Sequence, residues 1–285
     1  MARKGTAKRS AKKSARPDPF ELRRETRPDP EVHVYGNGVV CDTEKRGFAT
    51  PDNLDPLRLV VNAPGGVIPM WARGTTLQWR FRERSFRIFQ NPTAAKAAVR
   101  QLFGEALLAW GDAAPIKFTE DDDVWDFEIV MRKEDDCDPN GCVLASAFFP
   151  DTGRHKLTLY PRMFTQSKQE QVETLIHETG HTFGLRHFFA QVQELGAPSE
   201  IFGTHSPFSI MNYGPDSRLT AEDRADLKRL YQEAWSGQRT NINGTPIRFV
   251  QPFHTLTGPQ NQIVAVNPIQ AAPQPQPRPG FVYEP

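Results

Sequence analysis

The segment His177-Glu178-Thr179-Gly180-His181-Thr182-Phe183-Gly184-Leu185-Arg186-His187 constrains this chain more than any other. On an α-helix, residues four apart share a face. His177 and His181 therefore project together, one turn apart, and can bind a single ion through two imidazoles. Glu178, next to His177, is placed to reach a water on that ion rather than the ion itself. Gly184 ends the helix, because glycine accepts the left-handed conformation that such a stop commonly uses. The chain can then turn back so that His187 supplies a third nitrogen. Three protein ligands leave a fourth position open, which is the arrangement of a catalytic zinc site rather than a closed structural one. HExxH alone fits many surface helices, but the extended spacing is far more demanding. Three of the seven histidines in the chain fall within eleven residues.

The flanking pattern is that of an α+β protein with mixed α/β layers. Leu77, Trp79 and Phe81 alternate with polar residues, as do Trp125, Phe127, Ile129 and Met131, so both segments predict strands. Val143–Phe149 and Lys156–Tyr160 are two further strand candidates. Asn91-Pro92 caps and opens a helix whose apolar side is Val99, Leu102, Phe103, Ala106, Leu107 and Trp110, with Gly111 to end it. Ser167 and Glu170 form a capping box for the helix that carries His177 and His181. Thr220 and Asp223 do the same for a last helix with Leu227, Leu230 and Tyr231 on its buried side. These patterns divide the chain into a disordered basic arm over 1–30, an N-terminal extension without an assigned role over 31–73, a catalytic domain over 74–235, and a proline-rich tail over 236–285.

HExxHxxGxxH followed by Ser209-Ile210-Met211-Asn212-Tyr213-Gly214 resembles the metzincin clan of zinc endopeptidases. The resemblance implies that Met211 is the Met-turn residue, an apolar floor beneath the histidines rather than a ligand. Upstream, AAVRQLFGEALLAWGDAAPIKFTE, DFEIVMRK and GCVLASAFFP, with LTAEDRADLKRLY downstream, are similar to the matrixin branch in order and spacing, over roughly residues 74–233. It implies a twisted, mostly parallel sheet with an antiparallel edge strand, an active-site helix and a C-terminal helix. It also implies His177, His181 and His187 as zinc ligands, Glu178 as general base, and Gly141–Ser146 as the strand that pairs with an extended peptide. Departures accompany the likeness. Ser146 stands where matrixins carry a histidine for a second, structural zinc, and the next segment offers only His155. Phe188 matches none of the usual residues after the third histidine. The cysteine-switch motif is absent around Cys41. Tyr213 is similar to the astacin and serralysin tyrosine that binds zinc and stabilises the transition state; a buried structural tyrosine is the alternative. His205 reads as a loop residue.

The reading is a zinc metalloendopeptidase acting on protein or peptide substrates. The alternative is a non-catalytic zinc-containing module that binds peptides and acts through its tails. Glu120–Asp123 and Glu134–Asp138 are candidate calcium ligands, with solvated acidic loops as the competing reading. The formal net charge is +1 over 285 residues, so nucleic acid is not an expected partner of the whole molecule, despite seven Lys or Arg before Asp18. A monomer is expected. No run approaches the roughly 18 apolar residues of a membrane helix. The basic N-terminus lacks the apolar stretch of a Sec signal, which leaves the cytoplasm or a non-Sec export route. Cys137 and Cys142 bracket a short loop and can pair in an oxidising compartment, leaving Cys41 over; three free thiols is the other reading, and the odd count favours it.

Overall fold

The computed structural model describes residues 18–21, 39–40, 59–138, 141–187, 199–202, 209–211 and 217–257. Cys41, Phe188, His205 and Tyr213 lie outside the described residues, as do most of the basic arm and the proline-rich end of the tail. In chain order the elements are β1 (Val39–Val40), β2 (Leu59–Asn62), β3 (Ile68–Trp71), β4 (Thr76–Phe81), α1 (Pro92–Trp110), β5 (Lys117–Glu120), β6 (Phe127–Met131), β7 (Asp136–Asp138), β8 (Gly141–Val143), β9 (Ala145–Ser146), β10 (His155–Leu159), α2 (Lys168–Thr182), β11 (Leu185–Arg186), β12 (Ser199–Phe202), α3 (Ala221–Trp235), β13 (Asn241–Ile242), β14 (Thr245–Val250) and α4 (Phe253–Thr257). No helix among the described residues is long and apolar enough to cross a membrane.

The principal sheet has the order β5-β4-β6-β10-β9. β4 pairs in parallel with β5 and β6, β6 with β10, and only β9 runs antiparallel, on the edge of β10. This is the mixed, mostly parallel architecture expected from the sequence. Burial alternates along β4, with Leu77, Trp79 and Phe81 inside, because one face of that strand meets the core. Every residue of β6 is buried, because it lies between β4 and β10 under cover on both faces. Glu128 in the middle of β6 is kept charged by Arg80 and Arg82. Burial opposes ionisation, but the hydrogen bonds from Arg82 at 2.8 Å and Arg80 at 3.1 Å outweigh it and hold the carboxyl below its ordinary pKa.

α1 begins where Asn91 accepts the Ala94 amide at 3.0 Å and ends at Gly111, whose φ of 56° reverses the chain. Its buried face is Ala95, Val99, Leu102, Phe103, Ala106 and Trp110. The Trp110 indole crosses to α2 and donates to the Ile176 carbonyl at 3.1 Å and to Thr179 Oγ1 at 2.9 Å. Both capping boxes form, Ser167 with Glu170 on α2 and Thr220 with Asp223 on α3.

Three elements differ from the sequence reading. Val143–Phe149 is two short strands in different sheets, because at Leu144 the chain leaves β8 and the Leu144 carbonyl accepts from Tyr160 at 3.0 Å before β9 joins β10. β5 went unread because its residues are mostly exposed and show no alternation. The packed body also reaches outside residues 74–235. β2 pairs with β11 and β12, and β14 lies parallel on β3. Beyond β14, α4 is tied down by Asp126, whose buried carboxylate accepts the His254 amide at 2.8 Å and its Nδ1 at 2.8 Å.

The candidate metal and active site

His177 and His181 face one way from the end of α2, and Gly184, at φ 94°, turns the chain so that His187 follows β11 back toward them. The His177 and His181 ring centroids lie 4.7 Å apart, and those of His181 and His187 4.8 Å apart. His177 Nε2 is 3.1 Å from both His181 Nε2 and His187 Nε2. Among the described residues this is the one convergent group of three His, Cys, Asp or Glu side chains, with ligand atoms within 4.8 Å of one another. His181 and His187 are fully buried and His177 nearly so.

Backbone carbonyls set two of the three tautomers. His177 Nδ1 lies 2.7 Å from the Ile210 carbonyl and His181 Nδ1 lies 2.8 Å from that of Leu185. A carbonyl only accepts, so each Nδ1 carries the proton and each Nε2 presents its lone pair to the common centre. Lone pairs crowded within 3.1 Å repel one another unless a cation lies between them. All-imidazole donors suit zinc, and three of them leave a position open. The residues therefore fit the metal that the motif implies. Glu178, next along α2 from His177, is 2% exposed.

The same burial makes the metal-free cluster acid-sensitive. His187 is pulled from 6.5 down to about 3 by desolvation, with the Arg186 charge adding to it. At pH above 6.5 the imidazole is neutral folded or unfolded and contributes no pH dependence. As pH falls below that value, the unfolded chain takes up a proton that the folded chain refuses, so stability is lost by about 1.4 kcal/mol per pH unit. Metal-stripped protein is expected to lose about 2 kcal/mol of unfolding free energy between pH 6.5 and 5 from this group alone. Denaturant melts at the two pH values measure it, and His187→Gln flattens the dependence.

The turn that carries Met211 packs against α2 at Gly180, between His177 and His181 in the sequence. Met211 is buried, and a Cβ placed on Gly180 would sit 2.5 Å from Met211 Sδ and 3.3 Å from its Cε. Glycine at 180 is thus what lets the thioether lie against α2. The turn is fastened to α3 through Asp223. Its carboxylate accepts from Ser209 Oγ at 2.7 Å and from the Thr220 amide at 2.9 Å, and Ser209 Oγ accepts from the Met211 amide at 3.1 Å. The sequence marked Asp223 only as a helix cap; the second task shows in the tertiary structure alone.

Two residues that hold the end of α2 were not read as such from the sequence: Trp71 went unread, and Tyr231 was read only as part of the buried side of α3. The Trp71 indole donates to the Thr182 carbonyl at 2.7 Å, and the Tyr231 hydroxyl donates to the Phe183 carbonyl at 2.9 Å. These are carbonyls at the end of α2, which the helix cannot satisfy itself. Trp235 in turn donates to the Trp71 carbonyl at 2.9 Å. The clamp sits at the turn that delivers Leu185, the partner of His181, and then His187. Tyr231→Phe keeps the shape and removes one donor. It is expected to weaken zinc binding about tenfold, read by competition with a chromogenic chelator.

Of the other expectations, Ser146 is half-buried on β9, and His155 lies flat on Phe148 with ring centroids 4.4 Å apart. In the acidic stretches, Glu120 pairs with Arg100, Asp121 Oδ1 accepts from the amides of Asp123 and Val124, and Asp135 accepts from the Arg162 amide. Cys137 and Cys142, for which free thiols were the favoured sequence reading, are instead joined in a disulfide, because strand pairing of β7 with β8 brings them opposite each other.

Residues 78–199 match the matrixin family of peptidases. The chain is 29% identical over 170 residues to human (Homo sapiens) stromelysin-3, covering 55% of this chain and 32% of that protein. It is 29% identical over 192 residues to matrix metalloproteinase-19 of Mus musculus, covering 64% and 34%. With human matrix metalloproteinase-25 it shares 30% over 228 residues, covering 72% and 38%. The chain thus spans about a third of the length of the relatives it matches. The match to that family, together with the three-histidine cluster on α2 and the turn after it, identifies a matrixin-like metallopeptidase domain in this chain.

Proposed function

We propose that the chain is a zinc-dependent endopeptidase in which His177, His181 and His187 hold the metal and Glu178 is the general base. The observation that carries this is the convergence of three imidazole nitrogens, with the His177 and His181 tautomers set by the Ile210 and Leu185 carbonyls. Zinc supplies a Lewis acid that polarises the scissile carbonyl and makes water acidic enough to attack near neutral pH. Glu178 takes the proton from the attacking water and returns it to the departing amine. The buried surroundings of Glu178 keep bulk water from competing for that proton. Met211 gives the site an apolar floor, so that the histidines cannot tilt away from their common centre. Tyr213, two residues after Met211, adds a phenol that stabilises the developing oxyanion. The peptide lies extended along Gly141–Ser146 and pairs with it strand to strand.

The test is cleavage of a mixed peptide pool by the full chain. Hydrolysis is expected to vanish with a zinc chelator and to return with added zinc. Peptide capture without hydrolysis in the zinc-loaded chain overturns the reading in favour of a module that only binds.

A further inference from the structure

β8 is held differently from the rest of the strand that continues it. β9 is anchored in the principal sheet through β10, and the Leu144 carbonyl accepts from Tyr160. β8 belongs to a separate three-stranded sheet, between β1 and β7. Its own ladder is therefore made with β1 and with β7, three residues on each side of the β7–β8 hairpin, while Val143 is fully buried and Leu144 leads on to β9. A lone hairpin of that length is marginal in water. Here it is closed covalently: Cys137 and Cys142 are cross-strand partners joined by a disulfide, with their Cα atoms 4.0 Å apart. The root of the hairpin is fastened where Asp135 Oδ1 accepts from the Arg162 amide at 2.7 Å.

The opposite edge of β8 receives a strand. Val39 pairs with Cys142 and Val40 with Val143, both in parallel. This edge thus accepts strand pairing, and β1 fills it at Cys142 and Val143 in this structure; further along the same segment Phe149, past β9, meets the His181 ring edge-on at 5.5 Å. Matrixin domains tie this region with a second zinc, but the residues here do not fit one. Ser146 replaces the expected histidine, His155 is stacked on Phe148, and among the described residues no second group of three potential ligands converges.

We infer that the Cys137–Cys142 disulfide is the positioning element of the peptide-binding edge: it holds β8 in the register that receives substrate. The inference rests on the endopeptidase reading above. The disulfide touches no reacting atom, so its loss acts on binding rather than on chemistry.

The test compares the full chain with its Cys137→Ser/Cys142→Ser variant, Cys41 being kept in both. Alkylation before and after reduction is expected to show Cys137 and Cys142 blocked in the parent. The variant is expected to bind one zinc per chain, to keep kcat within twofold and to raise KM for a long peptide about tenfold. Amide exchange over 141–143 is expected to quicken about tenfold, with α2 unchanged. A variant with lower Tm but unaltered KM and unaltered exchange at β8 overturns the inference, since the disulfide is then only a stabiliser. Free Cys137 and Cys142 thiols in the parent overturn it too. A parent chain that binds zinc and cleaves nothing overturns the endopeptidase reading instead, and the exchange of 141–143 still decides whether the disulfide sets β8.

Discussion

Glu178→Gln is expected to retain one zinc per chain and to lose about 10²–10⁴-fold in kcat. The amide matches the carboxylate in shape and has no basic oxygen to take a proton. The histidines stay in place because their fixed points are elsewhere: His177 on the Ile210 carbonyl, His181 on that of Leu185. Glu178 is buried, so no nearby solvent base substitutes for it easily. Metal content by atomic absorption and turnover of a fluorogenic peptide separate the two roles. Turnover within tenfold of the parent removes Glu178 from the mechanism; loss of zinc moves it into the metal-holding set.

Gly180→Ala is expected to destabilise the chain by about 1–3 kcal/mol and to lower zinc affinity with it. The added methyl would sit 2.5 Å from Met211 Sδ and 3.5 Å from the Trp110 ring. Met211 is buried and its backbone amide is tied through Ser209 to Asp223, so only the thioether end is free to move. Either the thioether swings out or α2 lifts, and a lifted α2 carries His177 and His181 away from His187. The double variant Gly180→Ala/Met211→Ala relieves the clash and should recover part of the stability lost by the first substitution alone. Denaturant unfolding of all four proteins gives the coupling energy. Additive effects across that cycle refute the direct contact.

Local signals were legible wherever the controlling interaction is short in sequence. Ser167 with Glu170 and Thr220 with Asp223 act across three residues, and Asn91 with Ala94 likewise, so the starts of the three long helices could be read directly. His177, His181 and Gly184 are related by helix geometry, which a spacing alone specifies. The strand alternation of Leu77, Trp79 and Phe81 is likewise a property of one extended segment with one buried face. β5 and the break at Leu144 were hidden because their placement depends on which neighbour offers an open edge, and an exposed or fully buried strand leaves no period-two trace.

Sequence alone therefore determined the three histidines that can converge, the glutamate beside them and the glycine that turns the chain, because all of these lie within one helix and its end. Tertiary structure decided what holds that helix. Trp71 reaches Thr182 from 111 residues away, Tyr231 reaches Phe183 from 48, and Ile210 meets His177 across 33. It also decided that Cys137 and Cys142 pair and that Asp223 serves the Met-turn as well as its own helix. The physical reason is the same in each case: a buried carbonyl, carboxylate or thiol takes whichever partner packing brings within about 3 Å, and no local pattern encodes a partner that arrives from another element.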